Sequence, residues 1–253
     1  MLLAGCNLPA YGAHHGSTTQ GHDTFKLWQG DVTAAIVVGL IVYGLIFWSV
    51  FRYRRKRSDN SMPRQFHDHP KLEIVYTIIP LIMVLVIFYF AVLTENNVDA
   101  VSSHPDLTVK VTAFQWGWKF HYLGKGVEVI GNTQHYPQMV LPVDQPVKII
   151  LVSADVVHGF YVPKFDFSRY AQPGVVNLFD LNVRHVGVYR GQCSEFCGLY
   201  HSEMIFSVKA IPDSQFPAWL AQARTTSPSH LLPGAPVTPV PPNVTPRLST
   251  QVP

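Results

Sequence analysis

Two stretches of this chain stay apolar for as long as it takes to cross a bilayer, and a short, strongly basic loop joins them. The first, Val32–Phe51, reads VTAAIVVGLIVYGLIFWSVF, 20 residues without a charge. As a helix it spans a hydrocarbon core of about 30 Å. The second, Leu72–Thr94, is of similar length, with one acid, Glu73, near its start and Pro80 inside it. Membrane helices tolerate proline because neighbouring groups re-satisfy the carbonyl it frees. Buried helices of a soluble core are the alternative, yet such helices rarely run uncharged for so long. The joining stretch, Arg52–Lys71, carries seven basic and two acidic residues. The positive-inside rule places it in the cytoplasm, so the N-terminal segment and everything after Glu95 are expected outside.

Composition agrees with a membrane home. Only 14% of the 253 residues are charged and the mean hydropathy is +0.14, whereas about a quarter of a soluble domain is charged. No nucleic-acid partner is expected, because the basic residues form no stripe through the remaining sequence and seven of the nineteen sit in Arg52–Lys71. Three cysteines are too few for a disulfide framework. Cys6 follows Leu3-Ala4-Gly5, which resembles the lipobox of bacterial lipoproteins, where the cysteine is acylated. Only five residues precede it, short of the apolar stretch of about 7–15 residues a signal needs. Acylation at Cys6 therefore requires a start upstream of Met1; otherwise it is an ordinary cysteine.

From Asp106 the texture changes to short β-branched runs separated by Gly and Pro: LTVKVTAF, PVKIILV, VVNLFDL, HVGVYRG and MIFSVKAI. This pattern predicts an all-β Greek-key sandwich or barrel over residues 106–212. Asp213 and Ser214 are placed to cap a short helix to residue 224, with Pro217 in its first turn. Residues 225–253 form a Pro-rich tail with little to bury, expected to be disordered. The expected organisation is thus an N-terminal segment (1–30), a transmembrane hairpin (31–95, helices 32–51 and 72–94), the β-domain, the short helix and the tail.

The densest chemistry lies in GQCSEFCGLYHSEM, residues 191–204. Cys193, Cys197, His201 and Met204 fall within twelve residues. A helix would align the first three on one face, but Gly191 and Gly198 with β-patterned flanks favour a loop between strands. His158, in ADVVHGFYVP, follows another strand and can close the site. Thiolate and thioether ligands select copper or zinc over hard cations. A mononuclear blue-copper site takes one cysteine, so here there is one too many. Two thiolates bridging two coppers use the whole set, with His158 and His201 as nitrogen donors and Met204 and a backbone carbonyl as weak axial donors. Two other readings remain open: a Cys193–Cys197 disulfide, and a four-coordinate structural zinc site that leaves Met204 without a purpose.

The segment resembles the copper-loop signature of cytochrome c oxidase subunit II, C-x-E-x-C-G-x-x-H-x-x-M, with every position present. The similarity extends to the helical hairpin, FQWGWKF and the upstream D-V-x-H, from about Leu27 to Ala210. It implies a cupredoxin-like barrel on a two-helix anchor in a bacterial cell membrane, with the copper domain on the extracytoplasmic side. The partners implied are oxidase subunit I, which holds the haem–copper site and reduces oxygen to water while pumping protons, and other oxidase subunits. Cys193 and Cys197 would bridge a binuclear copper centre. Glu195 would lend its backbone carbonyl, with His158, His201 and Met204 completing the ligands. The Glu195 side chain would face a magnesium ion at the subunit I interface. Trp116 matches the aromatic residue that receives electrons from cytochrome c, as an exposed indole near the copper. Glu73 matches an acid at the cytoplasmic mouth of a proton pathway. The bland alternatives are core packing for Trp116 and a solvated interfacial position for Glu73.

One feature departs from relatives that bind a diffusing basic cytochrome c through an acidic face. From Val101 onward nine acids and eleven bases are mixed, so electrostatic steering is weak, and a membrane-bound or tethered donor is expected. Together with the actinobacterial flavour of the sequence, this suggests a supercomplex. Rival readings are a nitric oxide reductase with the same copper subunit and a membrane-anchored copper chaperone. The chaperone is disfavoured, having one membrane helix and its histidine after the cysteines. A quinol-oxidase subunit would lack the copper ligands.

Overall fold

The structure, a computed structural model, describes residues 9–54, 58, 62, 65 and 67–226. Cys6 and the tail beyond Thr226 lie outside the described residues. The chain divides into two compact units: a helical hairpin, Lys26–Glu95, and a β-domain that includes Gly12–Phe25.

In the hairpin, α1 (Thr19–Arg52) and α2 (Pro70–Val98) are both longer than the apolar runs that predict them. Within Val32–Phe51 and Leu72–Thr94 the apolar side chains are largely exposed, for example Leu40, Phe51, Ile79 and Phe88. A helix that is apolar all round and covered by nothing needs lipid or protein around it. α1 starts early because Thr18 caps it, its Oγ accepting the Gly21 N–H at 2.9 Å. α2 starts at Pro70, a residue preset for the first helical position. His69 caps it by accepting the Leu72 N–H on Nδ1 at 3.2 Å, while Glu73 Oε1 accepts the His69 N–H at 3.2 Å. This reciprocal pair satisfies two donors left free by the helix start.

The β-domain is a sandwich of two five-stranded sheets. The first has the order β3 (Val127–Asn132), β2 (Gly117–Tyr122), β1 (Leu107–Phe114), β5 (Val147–Ser153), β8 (Asn177–Leu181). The second has the order β4 (Gln138–Pro142), β10 (Ile205–Ile211), β9 (Gly187–Cys193), β6 (His158–Val162), β7 (Phe167–Ala171). The period-two pattern read from the sequence sets which face is buried. Along β1, Leu107, Val109, Val111 and Ala113 point into the core and the residues between them do not. β1 pairs antiparallel with β2 and parallel with β5, and β10 pairs antiparallel with β9 and parallel with β4.

Aromatic rings fill the space between the sheets. Phe206 stacks on Phe160 at 4.8 Å and leans on Trp118 at 4.9 Å, and all three are buried. Tyr122, fully buried on β2, reaches the other sheet, donating to the Val140 carbonyl at 3.0 Å and accepting its N–H at 2.7 Å. Burial raises its phenol pKa, so it stays neutral in that role. These contacts hold the ends of β1, β2, β6, β9 and β10 in place, and the candidate site sits there.

Two expectations need correction. Asp213–Gln215 form a 3-10 turn preceded by Pro212, without a side-chain cap bond, and α3 runs Phe216–Thr226 rather than ending at 224. Gly12–Phe25 belongs with the β-domain rather than with a separate N-terminal segment of residues 1–30. Ser17 donates its N–H to Lys164 O at 2.8 Å and accepts the Arg184 N–H at 2.9 Å, Thr18 bridges to Val183, and Phe25 is buried.

Candidate metal centre

The loop between β9 and β10 carries four of the predicted ligands, and the ladder itself closes it. Cys193 ends β9, Met204 precedes β10, and the Cys193 N–H donates to the Met204 carbonyl at 3.0 Å. Within the loop, His201–Glu203 form a single 3-10 turn that brings His201 back towards the cysteines. His158 opens β6, the neighbouring strand, where Phe160 pairs with Cys193 and the Ser194 N–H donates to Gly159 O at 3.0 Å. Gly159 is needed for that approach, since a Cβ there would lie 2.1 Å from Ser194 Oγ.

The donor atoms gather around two sulfurs. Cys193 Sγ lies 3.2 Å from Glu195 O and 3.9 Å from His158 Nδ1. Cys197 Sγ lies 3.6 Å from His201 Nδ1 and 3.7 Å from Met204 Sδ. The two sulfurs are 3.8 Å apart and both thiols are free. A disulfide needs about 2.05 Å, so the disulfide alternative does not describe this state. His158, Cys193, Cys197 and Met204 are all buried, and His201 is partly so.

Burial sets the protonation of these groups. The Cys197 thiol is pushed up to about 12, first by burial and then by the neighbouring Cys193 and Asp155. Burial lowers the His158 pKa despite the opposing pull of Asp155. The imidazole is therefore neutral at pH 7, with Nδ1 facing Cys193 as a lone pair, because Nε2 holds its proton against Asp155 Oδ1 at 2.8 Å. A buried thiolate pair is costly without a cation, and a bound metal ion supplies that charge. The donor set fits soft or borderline metal ions.

Residues from the opposite sheet complete the site. Gln115 and Trp116 form the two-residue turn between β1 and β2, joined by a cis peptide. The Trp116 indole is partly buried rather than exposed. It donates to the Cys197 carbonyl at 3.2 Å and meets Tyr200 edge-on at 5.1 Å. Trp118, fully buried, donates to the Met204 carbonyl at 3.4 Å. Gly198 has φ +116°, and a Cβ on it would come within 3.2 Å of both Gln115 Nε2 and the Trp116 ring. In the sequence Asp155 stood only as part of D-V-x-H, and Gln115 and Trp118 carried no expected role. The D-x-x-H spacing was the available signal for Asp155. For Gln115 and Trp118 there was none, since their partners lie about 80 residues away.

Glu73 lies in the separate helical unit, exposed, with its carboxylate engaged at the start of α2. Glu195 is partly buried beside Cys193.

Comparison with known proteins finds relatives for both parts of the chain. Residues 10–92 match the family described as cytochrome C oxidase subunit II, transmembrane domain, and residues 130–211 match its periplasmic domain. The cytochrome c oxidase subunit 2 of Mycobacterium tuberculosis (strain H37Rv) is 32% identical, over 88% of this chain and 78% of the relative. The probable cytochrome c oxidase subunit 2 of Mycobacterium leprae is 34% identical, over 88% and 80%. The crystal structure of the periplasmic domain of subunit II of the Bradyrhizobium japonicum cytochrome oxidase is 29% identical, with a TM-score of 0.45, covering 50% of this chain and 99% of that one. Two membrane-spanning helices, a β-sandwich carrying a cysteine–histidine cluster, and family matches to both parts make this chain a member of the cytochrome c oxidase subunit II family.

Proposed function

We propose that this chain accepts electrons from a cytochrome c and delivers them to the haem–copper site of a partner subunit I, where oxygen is reduced to water and protons are translocated. The observation that carries this reading is the convergence of four donors, His158 Nδ1, His201 Nδ1, Met204 Sδ and the Glu195 carbonyl, on the two free thiols of Cys193 and Cys197, six donors in all. A structural zinc ion takes four ligands and leaves no open position. The thioether and carbonyl are surplus to that, whereas a pair of copper ions would engage all six donors. When bound, such a pair supplies a one-electron relay with little reorganisation.

The chain's own residues do the rest. Cys193 and Cys197 would give up their protons to a bound metal, and the bond from the Cys193 N–H to the Met204 carbonyl closes the loop that carries Cys197. Asp155 keeps His158 in the tautomer that presents Nδ1. The buried aromatic floor of Trp118, Phe160 and Phe206 excludes water below the site. Trp116 is the proposed point of electron arrival, because its indole joins the partly exposed Tyr200 edge to the Cys197 carbonyl.

Four further assignments belong to this reading. Glu195 would offer one carboxylate to a magnesium ion at the subunit I interface, an oxygen ligand of the kind that ion takes. Glu73, at the start of α2, stands at the cytoplasmic mouth of a proton pathway. The basic Arg52–Lys71 loop orients the hairpin so that the β-domain is extracytoplasmic. The donor is a membrane-bound or tethered cytochrome c.

Metal content and electron paramagnetic resonance of the copper-loaded full chain in detergent test the central claim. Two coppers per chain with a seven-line pattern from one shared electron are expected. One copper, zinc alone or no metal would reject it.

A further inference from the structure

We propose that Gln115 is a positioning residue for the metal site, tying its two ligand-bearing segments together from the opposite sheet. The inference rests on the copper reading above, and it adds a role for a residue that touches no ligand donor atom.

The observations are three hydrogen bonds and one absence of bulk. The Gln115 backbone N–H donates to Asp155 Oδ2 at 2.6 Å, and Asp155 Oδ1 holds His158 Nε2 at 2.8 Å. The Gln115 side chain donates Nε2–H to the Cys197 carbonyl at 2.7 Å. A carbonyl only accepts, so the amide nitrogen, not its oxygen, must face it. Gly198 leaves the room for this, since a Cβ there would sit 3.2 Å from Nε2. One residue thus reaches the segment that orients His158 with its backbone and the cysteine loop with its side chain.

Strand pairing alone does not make this connection. The β6–β9 ladder joins the two segments at Phe160 and Cys193, and Ser194 extends it to Gly159. Beyond that, Cys197 lies in a loop without strand partners, and its carbonyl is held by Gln115 and Trp116. Holding the peptide plane of Cys197 restricts where its Sγ can point relative to Cys193. A metal held by both sulfurs would be sensitive to that orientation, and ligands held in place release a metal more slowly.

The experiment compares the wild-type full chain, loaded with copper in detergent, with Gln115→Met and Gln115→Glu. Both variants keep the length of the side chain and remove its donor, and both retain the backbone N–H to Asp155. Readouts are the rate of copper loss to a chelator, the resonance hyperfine pattern, the midpoint potential and the thermal unfolding midpoint without metal. Expected are copper loss faster by about three- to tenfold, as one hydrogen bond is worth, an altered hyperfine pattern, and a metal-free unfolding midpoint lowered by no more than a few degrees in both variants. Wild-type rates and spectra in either variant overturn the proposal. So does faster loss that merely tracks a lowered unfolding midpoint. If the wild-type chain takes up no copper pair, the copper reading fails and this inference falls with it.

Discussion

Asp155 and His158 form one unit: Oδ1 of the acid lies 2.8 Å from Nε2 of the ring, and the ring's other nitrogen lies 3.9 Å from Cys193 Sγ. The carboxylate therefore decides which nitrogen carries the proton and which is free for a metal ion. Replacing it with an amide, Asp155→Asn, leaves the shape but removes the charge and allows the ring to be held in either tautomer. Copper affinity is expected to fall by about 10–100-fold. Competition titration against a chelator measures it, and an unchanged affinity would show that the ladder alone orients His158.

Copper uptake should depend on pH through Cys197. Its thiol is pushed up to about 12, so at neutral pH it is protonated and binding must expel that proton. Mass action then raises apparent affinity by up to about tenfold per pH unit for each thiol proton released. His158, whose pKa burial lowers, adds no proton of its own above about pH 6.5. Titrations at several pH values should show affinity rising with pH, and a flat profile would mean the thiolates are already formed in the metal-free protein.

Gly198 is not replaceable by alanine. At φ +116° an L-residue is strained, and its Cβ would press on Trp116 and Gln115. Gly198→Ala should cost about 1–3 kcal/mol of stability and shift the tryptophan emission as the Trp116 ring moves. Denaturant melts followed by fluorescence report both, and an unshifted midpoint would show that the loop adapts freely.

Glu73 has a structural task that must be separated from any proton-carrying one. In Glu73→Gln the amide oxygen can still accept the His69 N–H, so the start of α2 should survive. Oxygen turnover and proton translocation by the assembled oxidase should nevertheless drop several-fold. Full activity in this variant would reduce Glu73 to a helix cap.

Turnover with the native donor should change little as ionic strength rises from about 0.01 to 0.15 M, although the screening length shrinks from about 30 to 8 Å. Acids and bases are mixed from Val101 onward, so little steering exists to be lost. A steep fall with salt would point to a diffusing donor.

The sequence by itself determined the elements and the ligand types. An uncharged run has one physical solution, a helix in an apolar surrounding, and the alternation in LTVKVTAF leaves one face for the core; both signals are local. The spacing of Cys193, Cys197, His201 and Met204 was legible for the same reason, because all four lie on one loop. What only the tertiary structure decided is how those groups are held. Trp118 and Met204 meet across 86 positions, Gln115 and Cys197 across 82, and Ser17 finds its backbone partners on Lys164 and Arg184. Hydrogen bonds of this kind leave no periodicity or composition behind. They arise because packing the two sheets brings the β1–β2 turn against the cysteine loop, and the register of that packing is set by the whole core rather than by any one segment.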